Sequence, residues 1–130
     1  MIENKFVVLS FDEEKNCLSL LWTEETEFLN TEEFISILDM TLEVISQYKP
    51  KAILNNLKKF RAIIEDSMQD SILNNYLPDI AGLGVGKIAL VYPEDQMAAL
   101  SIELILQGFD HRIEKSVFNT EDEALQWVCS

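Results

Sequence analysis

Positive charge is scarce in this chain. Ten Lys and Arg stand against 23 Asp and Glu in 130 residues, giving a formal charge of −13 and a pI near 4.3. DNA, RNA and anionic lipid are bound through basic surfaces, so a field of this sign argues against all three as partners. Cysteine is scarcer still. Cys17 and Cys129 lie at opposite ends, and neither has a second Cys or His at metal-ligand spacing. That pattern gives no support to a zinc site and is expected of two free thiols in a reducing compartment. With three prolines and four glycines there is no room for a long flexible linker. No apolar run approaches the ~20 residues of a membrane span. The N-terminal MIENKFVVLSFDEE has no basic leader followed by a long apolar segment, so no signal peptide is read and a cytoplasmic protein is expected.

What is present is enough for one ordinary domain. Hydrophobic residues make up 48% of the chain and charged residues 25%, a balance that can bury a core without disulfide or metal staples. Phe6–Phe11 and Cys17–Trp22 read as strands joined by the polar turn Asp12–Asn16, a β-hairpin. Leu18, Leu20 and Trp22 share one face by the two-residue period, and that face is assigned to the core. After the acidic connection Thr23–Asn30, apolar residues at three-and-four spacing (Phe34, Ile37, Leu38, Thr41, Leu42, Ile45, Tyr48) predict a helix. Asn30 or Thr31 caps it and Pro50 ends it.

A third strand covers AILNN. A second helix begins near Glu65, with Met68, Ile72, Leu73, Tyr76 and Leu77 as its inner stripe and Pro78 as its stop. Ile88–Tyr92 is continuously apolar, the mark of a central strand covered on both faces. A third helix starts at Pro93-Glu94-Asp95, has Met97, Leu100, Ser101, Leu104 and Ile105 as its one apolar face, and ends at Gly108. The more polar Arg112–Phe118 is an edge strand. Thr120 and Glu123 then form a capping box for a short helix presenting Ala124, Leu125, Trp127 and Val128. The order ββαβαβαβα predicts an α/β single domain: a mixed, mostly parallel central sheet with an N-terminal β-hairpin and about four helices.

Several of these residues carry a family likeness. Trp22 ends the second strand, Lys49-Pro50 precedes the third, and Gln69 lies in the second helix. Lys87-Ile88-Ala89, Ser101-Ile102-Glu103 and the tail Phe118-x4-Glu123-Ala124-x2-Trp127 complete the set. With these features, spread over nearly all of the chain, the sequence resembles the STAS-like superfamily in its bacterial, SpoIIAA-like branch. The resemblance implies helices packed on a central sheet and a regulatory or ligand-binding role without catalysis. In this superfamily some members are anti-sigma-factor antagonists switched by phosphorylation of a serine opening a helix. Others are cytosolic parts of anion transporters, and a structurally similar group binds lipids. The chain departs from the pattern twice. Asn55-Asn56 stand where the branch has an Asp at the end of the third strand. Asp66-Ser67-Met68-Gln69 keeps only the Asp-Ser of the antagonist Asp-Ser-Ser/Thr-Gly motif, leaving Ser67 as the candidate phosphoacceptor at a helix N-terminal turn.

Other motifs are weaker. Gly82-Leu83-Gly84-Val85-Gly86-Lys87 lacks both the spacing and the following helix of a P-loop, and Lys87 stands where a dinucleotide fingerprint needs its third glycine. It reads as a turn. The lone His111 has no partner that spacing brings near it, so no enzyme and no cofactor is expected. The runs Glu24-Glu25-x-Glu27 and Glu32-Glu33 lack the alternation and glycine turn of a calcium loop and read as a solvated acidic face.

AILNNLKKFR is the bottom-up pointer to a binding site. Five of the ten cations, Lys49, Lys51, Lys58, Lys59 and Arg61, fall within 13 residues around it. Lys58, Lys59 and Arg61 follow the C-terminal end of the strand, where open α/β sheets bind ligands, and Asn55 and Asn56 add uncharged donors and acceptors. The expected partner is a small anionic or lipidic ligand or a regulatory protein. Helix stripes rich in Met, Leu and Ile also allow a weak homodimer.

Overall fold

Alternation sets the architecture. In the computed structural model, which describes residues 2–128, β2 (Val7–Asp12) and β3 (Cys17–Trp22) pair antiparallel with Val7, Leu9 and Phe11 opposite Trp22, Leu20 and Leu18. Opposed residues share a face, so these six form one apolar surface, as expected for Leu18, Leu20 and Trp22. The other face of the hairpin carries Ser10, Ser19 and an exposed Leu21. A two-residue strand that the sequence reading did not contain, β1 (Ile2–Glu3), adds to β2 and becomes one edge of the sheet.

From β3 onward the strands are parallel. β4 (Ala52–Asn56), β5 (Lys87–Val91) and β6 (Glu114–Phe118) follow in chain order, so the six-stranded mixed sheet runs β1-β2-β3-β4-β5-β6. Crossovers of one hand that always step the same way place their helices on one face. That face holds α1 (Thr31–Tyr48), the helical run α2 (Asp66–Ser71) through α3 (Leu77–Gly82), and α4 (Gln96–Gln107). The final helix, α5 (Glu121–Val128), covers β4, β5 and β6 from the other side, with Ala124 and Val128 against Cys17, Leu54, Ala89 and Val91. Strands β4 and β5 are thus covered on both faces, which is why Ile88–Val91 reads as an unbroken apolar run and Ala52–Leu54 does so up to the two amides. β6 is the second edge, and its polar sequence suits that place.

The caps follow their chemistry. The Asn30 side chain accepts from the Glu33 amide at 2.8 Å, and the Glu33 carboxylate accepts from the Asn30 amide at 3.1 Å, closing a capping box on α1. At α5 only half of the expected box forms. Thr120 Oγ1 accepts from the Glu123 amide at 3.3 Å, but the Glu123 carboxylate accepts from the Thr120 hydroxyl, not its backbone. The acidic connection forms a short 3-10 helix, Glu24–Phe28. In the glycine turn Gly84 adopts φ +103°, a conformation that disfavours side chains. Lys87 leaves that turn on β5 and donates to the Trp127 carbonyl at 3.0 Å, with its ammonium 4.6 Å from the indole. A cation therefore sits at the C-terminal turn of α5, where the helix dipole favours it.

Two expectations are corrected. Pro78 does not end the second helix. The segment Ile72–Tyr76 is a π turn, in which the Leu77 amide donates to the Ile72 carbonyl, and the helix continues through Pro78 to Gly82. The wider turn just before the proline relieves the ring's clash with the preceding carbonyls. The inner face of α4 is also different. Ala98, Ile102 and Ile105 are buried, whereas Met97, Leu100 and Leu104 are 61%, 61% and 54% exposed. Both faces of α4 are apolar, so periodicity allowed either choice, and packing took the one carrying the small Ala98. Gly108 closes α4 at φ −102°, and a Cβ there would lie 2.9 Å from Leu73 Cδ1, the tip of a side chain able to shift. Of the two cysteines, Cys17 is buried under α5 and Cys129 lies outside the described residues.

Candidate functional site

The strand-end residues separate. Register puts Asn55 on the face under α1, α2 and α4, and Asn56 on the face under α5. Asn56 is buried; its Nδ2 donates to Glu121 Oε2 at 3.1 Å, and its Oδ1 accepts from the Lys58 amide at 3.1 Å. It joins the strand end to the start of α5. Lys59 lies 3.7 Å from Glu24 and 3.5 Å from Glu94, tying three loops together in exposed ion pairs.

Lys58 and Arg61 line an open surface groove with Glu27, Glu94, Asp95, Ile63 and Met97. Three carboxylates accompany two cations there, so the groove is not an anion cradle. Its backbone is pinned: the Arg61 amide donates to Thr26 Oγ1 at 2.9 Å, and the Glu94 amide donates to the Lys58 carbonyl at 3.1 Å. Lys49 and Lys51 sit at the other end of β4, as expected.

Asn55 enters a different environment. The Trp22 indole N–H donates to its Oδ1 at 2.7 Å. An indole nitrogen only donates, so the bond fixes which end of the amide is oxygen. Asn55 is half-buried and lines a cavity of about 80 Å³ between sheet and helices. Its Nδ2 has no hydrogen-bond acceptor among the described residues but is not fully buried, since no fully buried side-chain nitrogen or oxygen there lacks a partner. The walls are apolar: Leu20, Ile53, Ile88 and Leu90 from the sheet, Phe34 and Leu38 from α1, Ile72 and Leu77 from the second helical run, and Ile102 and Ile105 from α4. Trp22 and Phe34 stack with ring centroids 6.2 Å apart, and Phe60 meets Trp22 edge-on at 5.3 Å. Phe60, Ala62 and Ile64 point inward from the extended segment after β4, while Arg61 and Ile63 point out.

Tyr76, from the π turn, adds the other polar tip of the wall. Thr41 Oγ1 lies 2.8 Å from both the Leu38 carbonyl and Tyr76 Oη. One hydroxyl proton serves one acceptor, so Thr41 donates to the carbonyl and accepts from the phenol. Tyr76 is partly exposed as a residue, but its hydroxyl lies against the fully buried Thr41, and burial pushes the phenol up to about 12. It stays neutral.

No family model, no curated protein and no solved structure matches the chain.

The remaining candidates stand apart from this cavity. Ser67 is exposed in the first turn of α2, where expected, with Glu65, Asp66 and Asp70 around it in sequence. His111 lies in an exposed turn beside the Asp110–Arg112 pair, whose guanidinium holds the Asp110 carboxyl down at about 2. Among the described residues no three His, Cys, Asp or Glu side chains are placed to hold a metal ion, and no helix is long and apolar enough to cross a membrane.

The sequence reading did not find the cavity. One signal pointed to it: an Asn two positions beyond Ile53 in the strand's inner row is a polar residue on a core face, and the Trp ending the neighbouring strand is a donor needing a partner.

Proposed function

We propose that the chain is a non-enzymatic, cytoplasmic binding domain of the STAS-like type, and that it holds a small, neutral, largely apolar ligand under α1. One observation carries this reading: the half-buried Asn55 amide, whose N–H₂ has no acceptor among the described residues, lines a cavity with mainly apolar walls. A ligand oxygen at this half-buried donor would add a hydrogen bond worth about 0.5–1.5 kcal/mol. Between the two ligand classes the sequence suggested, the lipidic one fits better. Among the described residues no cation lines the cavity, so a bare anion would lose its hydration without compensation.

Size narrows the class further. An apolar cavity of about 150 Å³ admits benzene, so roughly half that volume suits a molecule of a few heavy atoms. Longer chains require the wall to move, and the π turn is the part of it with the least regular hydrogen bonding. The phosphorylation switch at Ser67 has less support, because the acidic neighbours in sequence would oppose an added phosphate.

The test is an NMR titration with butanone as probe. Saturable shifts are expected at the Trp22 indole N–H and the Asn55 side-chain N–H₂, and they should disappear in Leu38→Phe, which fills the cavity without removing a polar group. Shifts scattered over the surface, or unchanged in Leu38→Phe, would sink the proposal.

A further inference from the structure

Helix α4 is apolar on two sides. Ala98, Ile102 and Ile105 face the core, and Met97, Leu100 and Leu104 form a second stripe at three-and-four spacing that faces outward. Soluble helices normally give their outer side to polar residues, and one that is apolar all round is normally covered. Ile63, 68% exposed, extends the stripe across the groove that it lines together with Met97. A contiguous apolar surface of this kind marks a contact site.

Its surroundings select the occupant. Glu27, Glu94 and Asp95 stand at the Met97 end, and Glu103 flanks the stripe beside Leu100 while accepting a hydrogen bond from the Tyr92 hydroxyl. Lys58 and Arg61 line that groove too, and Lys59 pairs with Glu94 at 3.5 Å, so the surplus of negative charge comes from Glu103 and from the chain as a whole. With −13 on the whole chain, a second copy meets strong like-charge repulsion, and so does an anionic bilayer. A partner with positive charge around an apolar stripe meets attraction at the rim and burial at the centre.

We propose that the outer face of α4, together with Ile63, docks an amphipathic helix with basic flanks belonging to a protein partner. The i, i+3, i+7 anchors Met97, Leu100 and Leu104 interdigitate with the apolar face of that helix, and the carboxylates around them receive its Lys and Arg. This surface is separate from the cavity, so either proposal can fail alone.

The experiment uses the full chain and a synthetic helical peptide with Leu at i, i+3, i+4 and i+7 and Lys elsewhere. A scrambled peptide of the same composition serves as control. Calorimetry should show the patterned peptide binding and the scrambled one binding far less. The triple variant Met97→Gln/Leu100→Gln/Leu104→Gln keeps the charge, alters only exposed positions and uses a good helix former. It should lose about tenfold or more in affinity. Equal binding of the two peptides, or of the variant and wild type, would show general attraction by the acidic field and overturn the proposal. So would a wild-type dimer that the triple variant dissociates, or binding of phosphatidylcholine vesicles through the same three residues.

Discussion

Three polar side chains, Asn55, Tyr76 and Thr41, show how single atoms define the interior. Each sits where an apolar residue would fit the pattern, and each is held by a specific bond: Trp22 to Asn55, and Tyr76 to Thr41 to the Leu38 carbonyl. The Tyr76 phenol has an ordinary value of 10.0 that burial raises to about 12. The unfolded chain therefore loses this proton first as pH rises. The stabilisation is complete below pH 10 and should fall between about 10 and 12 by at most 1.4 kcal/mol per pH unit. Tyr76→Phe should cost about 0.5–1.5 kcal/mol at neutral pH, since Thr41 keeps its own acceptor. It should also remove this part of the alkaline decline. Parallel denaturation curves for both proteins from pH 8 to about 12 check this, the Lys titrations cancelling in the difference. An identical alkaline decline in the two would refute the assignment.

At the scale of elements, helix ends were more legible than helix faces. The Asn30 cap and the end before Pro50 follow from local chemistry and both form. Lys49 closes α1 with φ +49° and ψ +57°, a left-handed conformation in which a β-carbon is strained. Lys49→Gly should therefore raise stability by about 0.5–1 kcal/mol, read as a shift in urea midpoint at unchanged slope. A fall would mean that the cation's interaction with the helix C-terminus outweighs the strain. Pro78 and the α4 stripe were misread for one reason. A proline's effect depends on whether the preceding turn can widen, and a helix with two apolar sides gives a period without saying which side is inward. Neither is local information.

For the whole molecule the dominant quantity is charge. The ion pairs present, such as Lys59 with Glu24 and Glu94, are exposed and individually contribute about 0–1 kcal/mol. Self-repulsion at −13 is spread over every surface. Raising salt from about 0.01 to 0.1 M shortens the Debye length from ~30 to ~10 Å and should raise Tm by a few degrees. A Tm that falls with salt would show that the ion pairs outweigh the repulsion.

By itself the sequence determined the order of the main elements from β2 onward, the α/β class, most strand positions and the sign of the surface, because these depend on periodicity, caps and composition within short windows. It also placed the amides and cations at the end of β4. Only tertiary structure decided what those residues do. Register turns Asn55 to the α1 face and Trp22, and Asn56 to the opposite, α5 face and Glu121, and loop packing ties Lys59 to carboxylates from two other segments. The cavity and the outer face of α4 were decided there too. Both arise where elements distant in the chain meet or fail to meet, a matter of how volumes fit that no local pattern contains.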